Sequence, residues 1–184
     1  MPFKWMTPFA VLAVMACQPT PTAAPRGPDL VTVFGAITQT DRGALDATAE
    51  PLFASYGLTF ERALGLSADE LARFETLVMT TDFPAEGPLH AFAGPRLRDV
   101  LGFAGGAAQT IRVTALDGYQ RDIPAEAYMQ HNAILALYQD DQPLGIGGRG
   151  PAMLVWPRGT DPALDAMSDD DWVFGVFAIE VLPD

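Results

Sequence analysis

The stretch HAFAGPRLRDVL, residues 90–101, contains the clearest helix signal of this 184-residue chain. Its proline at residue 95 suits the first turn of a helix, because proline lacks the backbone N–H that this turn leaves unpaired. Leu97 and Leu101 then fall on one face, and the following Gly102 is typical of a helix end. The sequence therefore predicts a short helix that opens at the proline and ends at Gly102.

Short apolar runs, rich in β-branched and aromatic residues, recur along the rest of the chain between turn residues. Such runs are typical of strands. They cover residues 30–37, 76–81, 110–116, 133–138, 152–156 and 173–182. Further helix signals are brief: a capping box at residues 67–70 and a proline-led turn at residues 124–129. We therefore predict the α+β class, with β-rich mixed sheets and short helices.

The composition of the chain excludes several classes of protein and of site. The chain has 23 acidic and 11 basic side chains, a net charge of −12 and 49% hydrophobic residues. It can therefore bury a core, and its surface repels the phosphates of nucleic acids. Cys17 is its only cysteine, which excludes an internal disulfide and a cysteine-built zinc or iron–sulfur site. His90 and His131 lack a metal-binding spacing, and no serine lies in a nucleophile elbow, so the sequence assigns no catalytic residue.

The N-terminal residues have the pattern of an export signal followed by a tether. Residues 1–16 combine an early lysine with a short apolar stretch, which predicts a lipoprotein-type signal peptide. The tetrapeptide VMAC, residues 14–17, is similar to the lipobox of bacterial lipoproteins, and this similarity implies a lipid on Cys17. Residues 17–29 are rich in proline and predict an extended tether before a domain at 30–184. We expect an exported, periplasmic protein that is anchored to a bacterial membrane; alternatively, a plain signal peptide is cleaved nearby and Cys17 stays unmodified.

Two motif-like stretches have ordinary interpretations. Residues 145–150, GIGGRG, have the letters of a dinucleotide fingerprint but precede Pro151 and a strand-like run, which favours a flexible glycine loop. Such a loop still lets a ligand approach the backbone closely. Residues 169–171 are three aspartates, yet residues 173–174 are apolar where a calcium loop needs an oxygen ligand and a turn glycine. A solvated acidic turn is the simpler interpretation.

A series of segments appears in a characteristic order. They are TTDF (80–83), HAFAGPRLRDVL (90–101), ALDGY (115–119), DIP (122–124), LAL (135–137), DQPL (141–144), GP (150–151), LVWPR (154–158) and WVF (172–174). This series resembles the small, exported members of the molybdopterin-binding, sulfite-oxidase-like domain family. The similarity extends over essentially the whole domain. It implies a sulfite-oxidase-like molybdopterin-binding fold with a pocket for a pterin.

The sequence departs from this family at two positions. Enzymatic members bind molybdenum through a cysteine thiolate, whereas this chain has no cysteine after Cys17. A molybdenum enzyme of the usual kind is therefore not expected, and neither is a bound metal. Family members also commonly carry an arginine a few residues before the Gly-Pro; Gly147 falls there, and Arg149 is displaced by two residues. Some small exported members without the thiolate look like pterin-binding sensors that report to the periplasmic part of a membrane receptor.

The resemblance and the chemistry of a pterin together suggest ligand-binding residues. A carboxylate can accept from both donors on the pterin edge, an arginine can meet its oxygen and an aromatic ring can stack on it. The candidates are Thr81, Phe92, Gly94, Asp117, Tyr119, Arg149 and Trp156. Each has an alternative role: Asp117 with the next glycine is a turn signal, the aromatic residues can fill the core, and Arg149 can lie solvated on its loop. Trp172 is assigned to the core or an interface.

Three functions follow as hypotheses. The first is noncatalytic binding of a pterin-like molecule, with pterin or molybdopterin as the cofactor class, and relay to a membrane receptor. The second is a molybdenum-cofactor-dependent oxidoreductase, or a subunit of one, that holds its metal without a protein thiolate. The third is a ligand-free adaptor whose acidic surface meets a basic partner.

Overall fold

The structure is a computed structural model that describes Met1, residues 27–106 and residues 109–183. The signal peptide, the lipid attachment at Cys17 and most of the tether are predictions that lie outside the described residues. The domain expected from residue 30 begins with a strand at Asp29.

A five-stranded sheet forms the centre of the fold. Its strands in spatial order are β2 (Ala63–Ser67), β1 (Asp29–Gly35), β11 (Val176–Val181), β5 (Ile111–Ala115) and β6 (Gln120–Ile123). β1 and β11 are parallel, and the other neighbours are antiparallel. Because side chains alternate along a strand, Val33 joins the main core whereas Phe34 joins a smaller cluster with Phe53, Phe60 and Phe177. The sheet is therefore buried on both faces.

Two smaller sheets pack beside this one. The first has the order β3 (Thr76–Asp82), β4 (Leu89–Pro95), β8 (Tyr138–Gln139) and β9 (Gln142–Pro143), with all neighbours antiparallel. The second pairs β7 (Ile134–Ala136) with β10 (Met153–Val155). Gly94 on β4 lets the two sheets approach, because a Cβ there would overlap the backbone carbonyl of Leu135.

The helices are short and connect strands. They are α1 (Pro51–Ser55), α2 (Ala68–Leu71), α3 (Leu97–Ala104) and α4 (Ala125–Gln130), with 3-10 turns at Pro162–Leu164 and Asp169–Asp171. The predicted capping box is confirmed, since Glu70 accepts from the Ser67 backbone N–H at 2.8 Å while Ser67 Oγ caps the Glu70 N–H. None of the helices in the described part of the chain has the length and apolarity needed to cross a bilayer.

The helix predicted within residues 95–102 exists, but its predicted bounds are wrong. Pro95 is the last residue of β4, and the helix begins after Arg96. It continues through Gly102 and ends at Gly105, which has a left-handed φ of 75°. The N–H groups of Gly105 and the next glycine bond back to carbonyls of the last turn, at 3.0 Å each. The left-handed conformation, rather than the first glycine of the stretch, decides where the helix stops.

Each predicted strand run contains a strand, so the α+β class is confirmed. The run 133–138 divides at Leu137 into β7 and β8, and the run 173–182 starts its strand only at Val176. The sequence did not reveal β2, β4 and β6, which are rich in small or polar residues and lack a clean apolar alternation.

We expect Gly105→Ala to lower the free energy of unfolding by about 1–2 kcal/mol, because an L side chain is strained in the left-handed region. The added Cβ would also meet the hydroxyl of Thr38. Gly102→Ala is the matched control: a Cβ there meets no atom within 4 Å, so it should leave stability unchanged or raise it by up to about 1 kcal/mol. Urea unfolding measures both. Equal losses at the two glycines would contradict this helix end.

Candidate ligand-binding cleft

A cleft opens where the end of β3, the turn after β5 and the segment before β11 meet. It consists of two cavities of about 290 and 270 Å³, which share Asp117 and Phe174. We call it the Asp117 cleft. The first cavity is lined by Phe83, Ala115, Asp117, Tyr119, Asp169, Asp170, Trp172, Val173 and Phe174, and the second by Leu116, Asp117, Ile146, Gly147, Gly148, Gly150, Phe174 and Gly175. The predicted glycine loop therefore forms one wall.

A larger cavity, of about 460 Å³, shares no residue with this cleft. Its lining includes Phe74, Phe103 and the acids Asp41 and Glu70. Both acids serve the local backbone: Asp41 accepts from the N–H of Gly65 at 2.8 Å, and Glu70 belongs to the capping box of α2. The size of a cavity does not by itself indicate that it binds a ligand. We assign the candidate site to the Asp117 cleft because of the chemistry of its side chains.

Asp117 lies at the exposed tip of the turn between β5 and β6. One of its carboxylate oxygens, Oδ1, accepts from the backbone N–H of Tyr119 at 2.9 Å, and Gly118 takes a left-handed φ of 88°. Within the described residues, Oδ2 of Asp117 accepts no hydrogen bond. The turn interpretation of this Asp-Gly pair is therefore confirmed, and the turn leaves half of the carboxylate free to bind a ligand.

Aromatic side chains form the apolar wall of the cleft. Phe83 stacks on Trp172 with ring centroids 5.4 Å apart and planes tilted by 17°. Phe174 meets Phe83 edge-on at 6.4 Å, and the hydroxyl of Tyr119 donates to the carbonyl of Asp170 at 3.0 Å. Trp172 is fully buried, yet its indole Nε1 has no hydrogen-bond acceptor among the described residues. The wall thus combines flat rings with one unpaired buried donor.

A buried arginine holds this wall in place. Arg158, only 5% exposed, donates to carboxylate oxygens of Asp82 at 2.8 Å and Asp169 at 2.7 Å. It also donates to the carbonyls of Asp82 and Met167. Its guanidinium carbon lies 4.6 Å from the Trp172 ring centroid. Arg158 therefore joins the end of β3 to the turn that carries Asp169 and Trp172.

Burial and pairing act in opposite directions on the ionisation of this cluster. Burial raises the pKa of Asp82, but the hydrogen bonds and the positive charge of Arg158 outweigh it and hold this pKa below the ordinary value of 3.8. Burial lowers the pKa of Arg158, and its bonds to Asp82 and Asp169 outweigh that effect and raise it. Asp82 and Arg158 therefore both stay charged across the neutral range.

Some of the predicted ligand residues lie at the cleft. Asp117 and Tyr119 line it. Arg149 sits on the glycine loop, with its guanidinium carbon 4.9 Å from the ring centroid of Phe83. It donates to the side-chain oxygen of Gln139 at 2.8 Å and to the carbonyl of Phe83 at 3.3 Å. These contacts hold Arg149 beside the aromatic wall. Arg149 forms no ion pair with a carboxylate of the described residues.

Arg149 lies beside the cleft but lines neither cavity, and the other predicted residues are buried and line neither cavity as well. Thr81 donates to the carbonyl of Arg158 at 3.0 Å, and the indole of Trp156 donates to the carbonyl of Asp171 at 2.8 Å, so both support the cleft from within. Phe92 fills the main core, and Gly94 permits the close approach of β4 to β7. Direct contact of these four residues with a ligand stays a prediction.

Phe83, Phe174 and Arg158 are site residues that sequence reasoning did not propose. All three belong to segments quoted for the family resemblance, but their roles depend on contacts between distant parts of the chain. Trp172 was assigned to the core or an interface; it is buried, and it also lines the cleft. One local signal for these site residues was available in the sequence. In both TTDF and WVF an aromatic residue lies next to the end of a strand.

The mixed α+β fold and its small aromatic and acidic cleft agree with the class predicted from the sequence, a molybdopterin-binding domain. The chain belongs to the oxidoreductase molybdopterin binding domain family, whose model matches residues 57–159. The matched residues include Phe83, Asp117, Tyr119 and Arg149, whereas Trp172 lies beyond them. The predicted family resemblance is therefore confirmed.

The fold is also similar to a solved structure, the sulfane dehydrogenase SoxCD from Paracoccus pantotrophus. The TM-score is 0.56 with 16% sequence identity, and the match covers 85% of this chain and 38% of the SoxCD chain. This chain therefore spans well under half of that relative, and the likeness shows the fold alone. A search of curated proteins finds no match.

The cleft fits one part of a molybdopterin-type cofactor better than the others. Its free carboxylate and flat rings suit a pterin ring. The charged lining residues of the first cavity are all acidic, namely Asp117, Asp169 and Asp170, which repels the phosphate of a molybdopterin. The described residues contain no cysteine and no group of three or more potential metal-ligating side chains. The lining of the first cavity thus fits the ring better than the phosphate, and the cation nearest to its aromatic wall without a carboxylate partner among the described residues is Arg149. The residues do not fit a thiolate-bound metal.

We expect Asp82→Asn to lower the free energy of unfolding by about 2 kcal/mol at neutral pH, because it leaves part of the Arg158 charge unpaired. The folded-state pKa of Asp82 is lowered, so its stabilisation is fully present above its ordinary pKa and is lost as the pH falls through the lower folded value. The deficit of the variant should therefore shrink on acidification below about pH 4.

Chemical denaturation of both proteins across this pH range measures the effect. Asp122→Asn is the control, since Asp122 pairs with Arg112 in an exposed ion pair and should cost at most about 1 kcal/mol. A deficit at Asp82 that is no larger than the one at Asp122 would contradict the role of Arg158.

Proposed function

We propose that this domain binds a pterin-like small molecule in the Asp117 cleft without converting it, and that it relays the bound state to a membrane receptor. The observation that carries the proposal is the half-free carboxylate of Asp117 beside the stacked rings of Phe83 and Trp172. The expected periplasmic location and the receptor are part of the proposal and rest on the sequence pattern of residues 1–29.

The carboxylate suits the donor edge of a pterin. The ring N–H and the amino group of a pterin point in the same direction, so one carboxylate can accept from both. Oδ2 of Asp117 is free within the described residues, and Oδ1 has a second lone pair beside the one used by Tyr119. Hydrogen bonds to a charged acceptor contribute about 1.5–3 kcal/mol each, enough to select a donor edge over an acceptor edge.

The aromatic wall supplies the apolar part of the binding energy. A bicyclic heteroaromatic ring is small, and cavities of about 290 and 270 Å³ match a small ligand better than a cofactor with a long polar tail. The exposed faces of Tyr119 and Phe174 offer stacking surface. An acceptor oxygen that reached Nε1 of Trp172 would remove the cost of a buried unpaired donor, about 1–3 kcal/mol.

The composition of the domain supports binding without catalysis. Residues 18–184 contain no cysteine, so the thiolate that holds molybdenum in enzymatic members of the family has no counterpart here. The family to which the chain belongs favours a second candidate, an oxidoreductase that holds its metal without a protein thiolate. Metal analysis of protein from a host that makes molybdenum cofactor distinguishes the two: stoichiometric molybdenum would overturn the noncatalytic proposal.

The direct test is calorimetry of the purified full chain with a methylated tetrahydropterin, together with its melting temperature. At a hundredfold excess of ligand over the dissociation constant, binding should stabilise the folded state by about 2.7 kcal/mol. Asp117→Asn retains a turn-forming side chain but loses the charge and one acceptor oxygen, so it should weaken binding by about 10- to 100-fold.

Asp46→Asn is the matched control, because Asp46 also accepts backbone N–H groups in a turn but lies outside the cleft. Its affinity for the pterin should equal that of the unmodified chain. Absence of binding heat and of a melting shift in the unmodified chain would overturn the proposal.

The anchoring part of the proposal has its own test. In a bacterial host fed a labelled fatty acid, the full chain should incorporate the label and sediment with membranes, whereas Cys17→Ser should do neither. Label-free, freely released protein from the unmodified gene would show that a plain signal peptide is cleaved instead.

A further inference from the structure

Most sheet edges in the described part of the chain are protected against pairing with another chain. β6 carries Arg121 and Asp122, and β9 is two residues long and ends in Pro143. β2 is covered at Ala63, whose N–H and C=O both bond to the backbone of Arg42. Charge, proline, shortness and coverage are the usual means by which proteins block edge pairing.

The edge of β3 has none of these protections. β3 is seven residues long, lies at the end of its sheet and pairs only with β4 among the described residues. It contains no proline, and its first charged residue is Asp82 at the far end. Its residues TLVMTT favour extended structure. Along residues 76–81 the strand therefore presents a row of backbone N–H and C=O groups to which no neighbouring strand bonds, while the carbonyl of Asp82 accepts from Arg158 at 3.2 Å.

The outer face beside this edge is apolar as well. Register places Val78 opposite Ala93, Ala93 opposite Tyr138, and Tyr138 opposite Pro143, so one uncharged row crosses the four strands. Val78 is 71% exposed at the β3 end of the row. A strand added to β3 would extend this row by one position and cover Val78.

We propose that the free edge of β3 binds an extended segment of a partner polypeptide, which adds as a further strand. Backbone hydrogen bonds would supply the affinity, and alternate side chains would meet Val78 and the exposed threonines beside it. The partner segment has an uncharged centre and basic ends, because the whole chain carries a net charge of −12 and Glu86 lies beyond the Asp82 end of the strand. At the other end Glu75 pairs with Arg96 at 3.0 Å, so the charge that selects the partner there is weaker. A second copy of the chain would bring the same acidic groups to the edge, which disfavours self-pairing.

The edge is continuous with the Asp117 cleft. β3 ends at Asp82, which Arg158 holds, and the next residue is Phe83 of the aromatic wall. A partner strand on β3 would therefore end beside the ligand site. The inference rests on the proposed relay for the identity of its partner, the receptor, and it does not depend on pterin binding.

The test uses the full chain without a pterin and a synthetic peptide of alternating threonine and valine with an arginine at each end. Amide hydrogen exchange followed by NMR should show alternate amides within residues 76–82 protected by about tenfold or more when the peptide is added. A peptide of the same sequence with alternate backbone nitrogens methylated lacks those donors and should bind about tenfold more weakly or worse.

Two variants separate the edge from the face of the sheet. Val78→Lys places a charge on the edge strand and should weaken peptide binding. Leu89→Lys makes the same change at a residue that is 70% exposed on the same face, but on β4, and should leave binding unchanged.

Several outcomes would overturn the inference. The first is that the methylated peptide binds as tightly as the unmethylated one. The second is that the peptide binds but the amides of residues 76–82 are not protected. The third is that Val78→Lys and Leu89→Lys weaken peptide binding equally. Self-association that Val78→Lys abolishes would assign the edge to a second copy instead. Failure of the peptide to bind while the methylated tetrahydropterin still binds would remove the edge inference and leave the proposed function intact.

Discussion

The buried guanidinium of Arg158 is the group on which the site depends. Removing a charge from water costs several kcal/mol, and only well-placed partners compensate it. Asp82 and Asp169 are those partners, and they come from the end of β3 and from the turn before β11. The charge can be buried only if these two segments meet. When these segments meet, Phe83 also packs against Trp172. The aromatic wall of the cleft therefore forms because the Arg158 charge needs both carboxylates.

The same arrangement holds the aromatic wall of the cleft in place through contacts within the protein. Each ring of the Phe83–Trp172 stack has an arginine over it, at 4.9 and 4.6 Å. Such contacts strengthen when they are shielded from water. A ligand then loses little energy in ordering the protein, which favours affinity from a small contact area.

Local signals in the sequence predicted the local features. The capping box at residues 67–70 starts α2, the runs at 30–37 and 76–81 form strands, and the Asp-Gly pair at 117–118 makes a turn. Pairings between distant residues were not predictable from one sequence. Nothing local distinguishes Arg158 from the other arginines, and the free edge of β3 is defined by the absence of a neighbour in space. The core interpretation is confirmed for Phe92, Trp156 and Trp172 and is wrong for Tyr119, which is 43% exposed. The partners of these rings were not predictable.

The order of strands in the large sheet has a consequence for when the domain can fold. β11 is the last of these five strands in chain order, yet it lies between β1 and β5 in the middle of the sheet. Until it is made, β1 with β2 and β5 with β6 are separate pairs, and the edges of β1 and β5 that β11 will join are open. The sheet is complete only when β11 pairs with β1 and with β5. Pairing between strands that are far apart in the sequence, such as β1 and β11, is slow. The five-stranded sheet of this domain is therefore completed only after β11 has been made.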